Sequence, residues 1–309
     1  MQNSRERVKA AISHQLPDRI PRGELCIEDD LVGQCLNCSE VGFEERAAFI
    51  EELGLDLVTL APDYPVSSTV PETLEATLPD LEKWALKTPL FTFALLDGAF
   101  GWGARTLGYT DFLVLSRSSP LSFQALIDRV ENLNRELIKR LIDQGVDGII
   151  IADDIAYQRG LIINPDTLRE FFFPSLARQV KAASGKSPVF FHSDGKYSEI
   201  IPELINCGFR GLQCFERQTG MDPLKLKAQH PELCVWGTLE VEDLQKAADA
   251  DYLEKLASGI NTLSSHKGFI LGTTCGLFKG IDLQGLTAIY RKCGSQGPEV
   301  GGLNGPTND

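Results

Sequence analysis

Apolar positions along the chain follow two alternating rhythms. From Ser122 to Gln144, the residues Phe123, Leu126, Ile127, Val130, Leu133, Leu137, Ile138, Leu141 and Ile142 fall three and four apart, with Pro120 ahead and Gly145 behind. That spacing puts one apolar stripe on a helix with a start and a stop. The same rhythm predicts helices near 43–53, 197–207, 223–230, 242–262 and 282–293. Asn164 before Pro165 starts another that ends at Gly185, and Pro174 is expected to kink or interrupt it. Asn3-Ser4-Arg5-Glu6 has the form of a capping box and opens an N-terminal helix.

Between the helices lie short apolar runs: Ile20 to Leu25, Leu55 to Leu60, Phe91 to Leu96, Gly148 to Ile151, Pro188 to Phe191, Phe209 to Phe215, Leu233 to Trp236 and Gly268 to Leu271. Short runs bounded by turn signals suit strands buried on both faces. Strands alternating with helices imply parallel βα units. About eight such units match a (β/α)8 barrel, the TIM-barrel form of the α/β class. An open doubly wound sheet is the alternative. The reading is a single barrel domain over 1–293, followed by a tail at 294–309 that is rich in Gly, Pro and Asn and expected to fray.

The polar groups just beyond each run change the picture most. In order they are Glu24, Asp63, Asp97, Asp153 with Asp154, His192 with Asp194, Glu216, Glu240 and Cys275. In a barrel they meet at the C-terminal rim, where sites are built. The plainer reading is capping, because carboxylates at βα turns meet helix N-termini. A ring of carboxylates also raises some of its own pKa values by like-charge repulsion.

Three stretches carry candidate chemistry. His192-Ser193-Asp194-Gly195 sits where a strand meets a helix, and Cys275 ends the last strand. Imidazole, carboxylate and thiolate are all zinc ligands, and three protein ligands with an open fourth position describe a catalytic site. The competing reading makes His192 a loop hydrogen-bonder and Cys275 a small buried hydrophobe. Asp153-Asp154-Ile155-Ala156-Tyr157-Gln158 offers paired carboxylates, one of which can act as an acid or hold a substrate, with Gln158 beside them. Strand register leaves open which of the two faces inward. Gly98 to Pro120 mixes glycines with Phe100, Trp102, Tyr109 and Phe112 and reads as a lid or wall, with ordinary packing as the alternative. Tyr64, next to Asp63, joins Glu24, Asp97, Trp102, Gln158 and Glu240 as candidate substrate-binding residues. Cys35-Leu36-Asn37-Cys38 is a lone CxxC without a second pair. Serine-hydrolase, Walker and dinucleotide fingerprints do not occur.

Composition narrows the partners. The 309 residues are 43% hydrophobic and 24% charged, which is globular. Thirty Lys and Arg against 43 Asp and Glu give a net charge of −13, which argues against nucleic acid and anionic membranes. No apolar run approaches the roughly 18 residues of a membrane helix. The charged start lacks the apolar core of a secretion signal, so a cytoplasmic location with reduced cysteines is expected.

Several segments together resemble the uroporphyrinogen decarboxylase superfamily. They are Ser4-Arg5-Glu6-Arg7-Val8 with Pro17-Asp18-Arg19-Ile20-Pro21, Gly148-Ile149-Ile150-Ile151-Ala152-Asp153-Asp154-Ile155, Phe191-His192-Ser193-Asp194-Gly195 and Ile205-Asn206-Cys207-Gly208-Phe209-Arg210-Gly211-Leu212. The likeness implies a (β/α)8 barrel and one of two enzyme classes, tetrapyrrole decarboxylases or methyltransferases that exchange methyl groups with a corrinoid protein. The decarboxylases carry an arginine-rich segment after the first strand; here Pro21-Arg22-Gly23-Glu24-Leu25-Cys26-Ile27-Glu28-Asp29-Asp30 puts acids there. Asp63 still matches their catalytic aspartate. The zinc methyltransferases use His-x-Cys and a distant Cys. This chain offers His192-Ser193-Asp194 and Cys275, so Asp194 stands where the middle thiol would be.

The resemblance thus implies a corrinoid-dependent methyltransferase. A small methyl donor, a methyl ether or a methylated amine, sits at the rim. Zinc sits at His192, Asp194 and Cys275, or else Asp153, Asp154 or Glu216 acts as general acid. A partner protein carries the corrinoid. Uroporphyrinogen decarboxylation through Asp63 and a non-catalytic corrinoid- or tetrapyrrole-binding protein are the alternatives. Barrels of this family can pair, which leaves a homodimer open.

Overall fold

Short strands punctuate the helices of the computed structural model, which describes residues 2–65, 69–72 and 75–293. They are β1 (Leu57–Leu60), β2 (Phe91–Asp97), β3 (Gly148–Ala152), β4 (Ala156–Tyr157), β5 (Gly160–Leu161), β6 (Val189–His192), β7 (Gly211–Gln213), β8 (Cys234–Trp236) and β9 (Phe269–Ile270). Seven coincide with predicted apolar runs, and β4 with β5 is a small antiparallel hairpin. The architecture is α/β. The expected tail at 294–309 lies outside the described residues. Packing divides the chain into two compact units: Met1–Thr59, Lys87–Phe91 and Asp222–Asp309 in the first, Leu60–Leu86 and Thr92–Met221 in the second.

In the second unit, β2, β3, β6 and β7 form a parallel ladder in that order. Ile149, Ile150, Ile151, Phe190 and Phe191 are fully buried, which is why these strands read as unbroken apolar runs. Phe190 stacks edge-on against Phe93 at 5.2 Å, and Gly211 makes room for it, since a Cβ there would lie 2.2 Å from the Phe190 ring. Register places Asp97, Ala152, His192 and Gln213 in one row at the C-terminal edge. The ladder therefore delivers its polar strand ends to a single level.

The helix Pro120–Asp143 buries Phe123, Ile127, Val130, Leu137, Ile138 and Leu141, as its periodicity predicts. Each such side chain contributes about 1.5–3 kcal/mol by leaving water. It packs along Phe173–Ala182, where Glu131 accepts two hydrogen bonds from Arg178 at 2.7 and 2.6 Å. Ahead of Phe173–Ala182 the chain widens into a π-helical turn, Leu168–Phe172. Pro174 supplies no amide proton to a regular α-turn, and the wider turn absorbs that loss. The expected lid segment is two further helices, Ala99–Leu107 and Tyr109–Ser118, joined at Gly108 with φ 84°. Phe100, Trp102 and Phe112 are buried, so ordinary packing describes these aromatics.

In the first unit, β8 pairs with β9 in parallel, and parallel bridges continue at Arg22–Leu271, Leu239–Thr273 and Ile27–Leu277. The run Ile20 to Leu25 is thereby reduced to a single bridge at Arg22. Pro21 has no amide to give, and the carbonyl of Gly23 is taken by the Trp236 indole at 2.9 Å. The pattern near 242–262 resolves into two helices, Val241–Gln245 and Ala250–Ser265, because Asp249 caps the second through the amides of Asp251 and Tyr252. The N-terminal helix Ser4–Ile12 carries the expected reciprocal Asn3–Glu6 capping box. Among the described residues, no helix is long and apolar enough to cross a membrane.

Asp56 anchors the start of this unit. Fully buried, it accepts from Arg7 at 2.5 Å, from Arg19 at 2.6 and 2.9 Å, and from the Arg22 amide at 2.9 Å. Asp56→Ala would leave buried guanidinium charge uncompensated. It should destabilise the protein by about 3–5 kcal/mol, read as a lower urea midpoint; an unchanged midpoint would show that water replaces the carboxylate.

Candidate active site at the strand ends

Two aspartates follow β3, and they differ in environment. Asp153 is buried at 1% exposure, and its Oδ1 accepts from the Phe100 amide at 2.8 Å and the Gly101 amide at 3.1 Å. These are free amides of the first turn of Ala99–Leu107, so Asp153 caps that helix from a neighbouring strand. Its own amide donates to the His192 carbonyl at 2.9 Å. Burial pushes this carboxyl up to about 8, helped by Asp154 and Asp97 and opposed by the two amides. Gly98 permits the approach, because a Cβ there would lie 2.3 Å from the Asp153 carboxyl carbon. Asp154 instead points outward, with a side chain 57% exposed.

His192 closes β6 and is buried. Its Nδ1 bonds the side-chain oxygen of Gln213, the next residue in the row. An amide oxygen only accepts, so Nδ1 donates to it. Nε2 faces Asp154, whose Oδ1 lies 3.5 Å from Nε2 and accepts from the Asp194 amide at 3.1 Å. One ligating atom each from Asp154, His192 and Asp194 falls within 4.8 Å of the others. Partial desolvation, with Asp154 adding repulsion and His192 opposing, raises the Asp194 carboxyl above its ordinary range. Nε2 and two carboxylates gathered on one side, with Gln213 orienting the imidazole through Nδ1, fit a divalent cation.

The other predicted residues of the second unit serve different ends. Glu216 accepts from the Gly195 amide at 2.8 Å and so holds the turn after His192. Gly195, at φ 81°, lies against the backbone of Tyr157, 2.6 Å from where a Cβ would be. Asp97 accepts from Arg105 at 2.6 Å, and the Arg105 guanidinium lies over the Trp102 ring at 4.5 Å. Tyr64 meets Trp102 edge-on at 5.0 Å. The Tyr64 hydroxyl and the Trp102 indole N–H are buried with no partner among the described residues. Asp63 is exposed and pairs through its backbone with Thr77 at 2.7 and 3.1 Å. Gln158 is exposed in the turn between β4 and β5.

Three predicted residues belong to the first unit. Glu24 is buried and accepts from the Thr273 amide at 3.0 Å, the Thr273 hydroxyl at 2.5 Å and the Tyr290 hydroxyl at 2.6 Å. Burial still pushes its carboxyl up to about 7. Glu240 is buried in a capping box with Asp243. Cys275 is exposed, and partial desolvation with the charge of Glu24 raises its thiol. It is not a member of the Asp154–His192–Asp194 group. Cys35 and Cys38 are half-buried and form no disulfide. Sequence reasoning did not single out Gln213 or Arg105. Gln213 alone left a signal, a polar residue inside the apolar run Phe209 to Phe215.

An α/β chain with parallel strands and a histidine–carboxylate group at the strand ends is the class that these features define. The family model for uroporphyrinogen decarboxylase (URO-D) matches residues 60–294, and the chain belongs to that family. It is 26% identical over 192 residues to a methylcobamide:CoM methyltransferase of Methanosarcina barkeri, covering 60% of this chain and 55% of that one. It is 24% identical over 204 residues to a methylated-thiol–coenzyme M methyltransferase of Methanosarcina mazei, covering 64% of this chain and 52% of that one. The chain thus spans about half the length of these curated relatives. A methyltransferase structure from Methanosarcina mazei shares the fold with a TM-score of 0.72 at 16% identity, over 94% of this chain and 98% of that one. A B12-independent methionine synthase from Shewanella sp. W3-18-1 does so at 0.55 and 13% identity, over 89% and 94%.

Two substitutions check the buried carboxyls. Gly98→Ala drives a methyl into the Asp153 carboxyl and should cost about 1–3 kcal/mol in urea denaturation; no loss would mean that the helix start yields freely. Glu24 favours the protonated acid on folding, so its contribution is complete below about pH 4.5 and is lost as pH rises through about 7. Glu24→Gln, always neutral, should therefore flatten the stability curve across that window. Parallel curves for parent and variant would show that Glu24 titrates as an ordinary carboxyl.

Proposed function

We propose that this chain is a methyltransferase that moves a methyl group from a small methylated substrate, a methyl ether or a methylated amine, to the reduced cobalt of a corrinoid on a partner protein. The observation that carries the reading is the gathering of ligating atoms from His192, Asp154 and Asp194 at the strand ends, in a chain of the URO-D family with methyltransferase relatives. We place the chemistry on one (β/α)8 barrel domain over 1–293 in the cytoplasm. Seven strands coincide with predicted runs, and the bridge at Arg22 supplies a further parallel pairing, which supports that arrangement.

His192, Asp194 and Asp154 would hold a divalent cation such as zinc, which supplies Lewis acidity to the heteroatom that gives up its methyl group. Gln213 orients the imidazole through Nδ1. Asp153, mostly protonated at neutral pH, adds no charge beside Asp154 and fixes the helix that bears Trp102 and Arg105. Asp97 shares the strand-end row with His192 and would orient a small donor there, and orientation is the main source of rate in a displacement of this kind.

The test uses free cob(I)alamin as acceptor and a panel of methyl ethers and methylamines. Methylcobalamin formation, followed by absorbance, should require the protein and fall at least about 100-fold in His192→Ala. Turnover of uroporphyrinogen to coproporphyrinogen, with no methyl transfer from any donor, would replace this reading with decarboxylation.

A further inference from the structure

We propose that Cys26 and Cys275 form a dithiol pair that closes to a disulfide by exchange with a small disulfide and reopens with a small thiol. The inference stands apart from the methyl-transfer reading above. Of the eight cysteines, all among the described residues, only Cys26 and Cys275 are exposed. They stand 249 residues apart in sequence, yet both belong to the first compact unit and meet there. The Cys26 thiol donates to the Cys275 carbonyl at 3.8 Å. The Cys275 sulfur lies 3.5 Å from the carbonyl oxygen of Gly276. A Cβ on Gly276 would stand 2.3 Å from the Cys26 sulfur. Both sulfurs therefore pack on one residue, and that residue has no side chain to part them.

The backbone holds the pair at bridging distance. A parallel bridge joins Ile27 to Leu277, and the Leu277 amide donates to the Cys26 carbonyl at 2.9 Å. Cys26 thus faces Gly276 and lies diagonally from Cys275. With strands about 4.8 Å apart and a rise of about 3.3 Å per residue, that diagonal is about 6 Å between Cα atoms. A disulfide takes about 4.4–6.8 Å. Glu24 ties the same two segments through the Thr273 amide at 3.0 Å and its hydroxyl at 2.5 Å. Closure is accordingly a matter of side-chain rotation.

The other cysteines compete poorly. Cys207, Cys214, Cys234 and Cys293 are buried, away from a small disulfide in solvent. Cys35 lies in the last turn of the helix Asp29–Leu36, at its negative end, which disfavours the thiolate that exchange requires. An exposed disulfide is also the reducible kind, which suits a reversible pair.

The exchange balances in two steps. One thiolate of the pair attacks the small disulfide, whose S–S bond breaks and releases a small thiolate with the electron pair. The second thiolate attacks the resulting mixed disulfide and releases the other. Two protein thiols are oxidised, one small disulfide is reduced to two thiols, and the two protons pass to them.

The test incubates the reduced full-length protein with oxidised glutathione near about pH 8, where thiolate is available, and alkylates it in acid-quenched denaturant. Titratable thiols should fall by two from eight. A protease digest should contain one linked peptide pair, Cys26 with Cys275, which dithiothreitol separates. Cys26→Ser and Cys275→Ser should each lose the link and keep a glutathione adduct on the remaining exposed cysteine, and Cys35→Ser should keep the link. Because the link spans most of the chain, it restricts the unfolded state and should raise the urea midpoint, reversibly on reduction. An unchanged thiol count, a Cys35–Cys38 link in its place, or adducts that stay on both Cys26 and Cys275 without joining overturns the proposal. Should a serine variant fail to fold, the peptide map of the parent still decides.

Discussion

Asp153 is a carboxyl group taken out of water at the end of β3 and held by two amide protons of the following helix. Its own amide reaches the carbonyl of His192, and the Gly98 amide reaches the carbonyl of Ala152 at 2.7 Å. Strand, neighbouring strand and helix start are thereby tied within a few residues. The geometry works only because position 98 lacks a side chain. A charged group in this place would repel Asp154, and burial removes that charge by raising the affinity for a proton. The site thus gains a neutral internal post beside an exposed charged ligand.

The remaining carboxylates divide by the same logic. Glu24, Glu216 and Glu240 turn their oxygens onto amides and hydroxyls of their own units, which satisfies helix starts and turns. Asp154 and Asp194 lie where solvent and ligand can reach them. The strand-end acids are therefore two populations. One stabilises the loops, and the other supplies donors to the proposed cation. Loss of the first kind leaves buried amides unpaired.

Apolar runs and their spacing made most elements legible. Ile149 to Ile151 read as a buried strand because both faces are covered, and Phe123 to Leu141 read as a helix because one face is. The misjudged stretches had local reasons. Ile20 to Leu25 is apolar enough for a strand, but Pro21 and the claim of Trp236 on the Gly23 carbonyl prevent a regular ladder. The helix pattern across 242–262 hides Asp249, whose cap restarts the helix. The segment 98–120 read as a lid or wall with ordinary packing as the alternative, and Gly98 and Gly103 serve close packing against Asp153 and Phe112.

The sequence by itself determined the α/β class and the place of His192 and Asp194 beside one another at a strand end, since these follow from periodicity and from neighbours along the chain. Tertiary structure decided which of Asp153 and Asp154 turns inward, because a strand's faces alternate and one residue of register reverses them. It also decided that Gln213 orients the His192 ring through Nδ1, and that Asp154 joins the histidine while Cys275 does not belong to that group. Those pairings join distant segments through adjacent parallel strands, and no local pattern of side chains encodes a strand's neighbour.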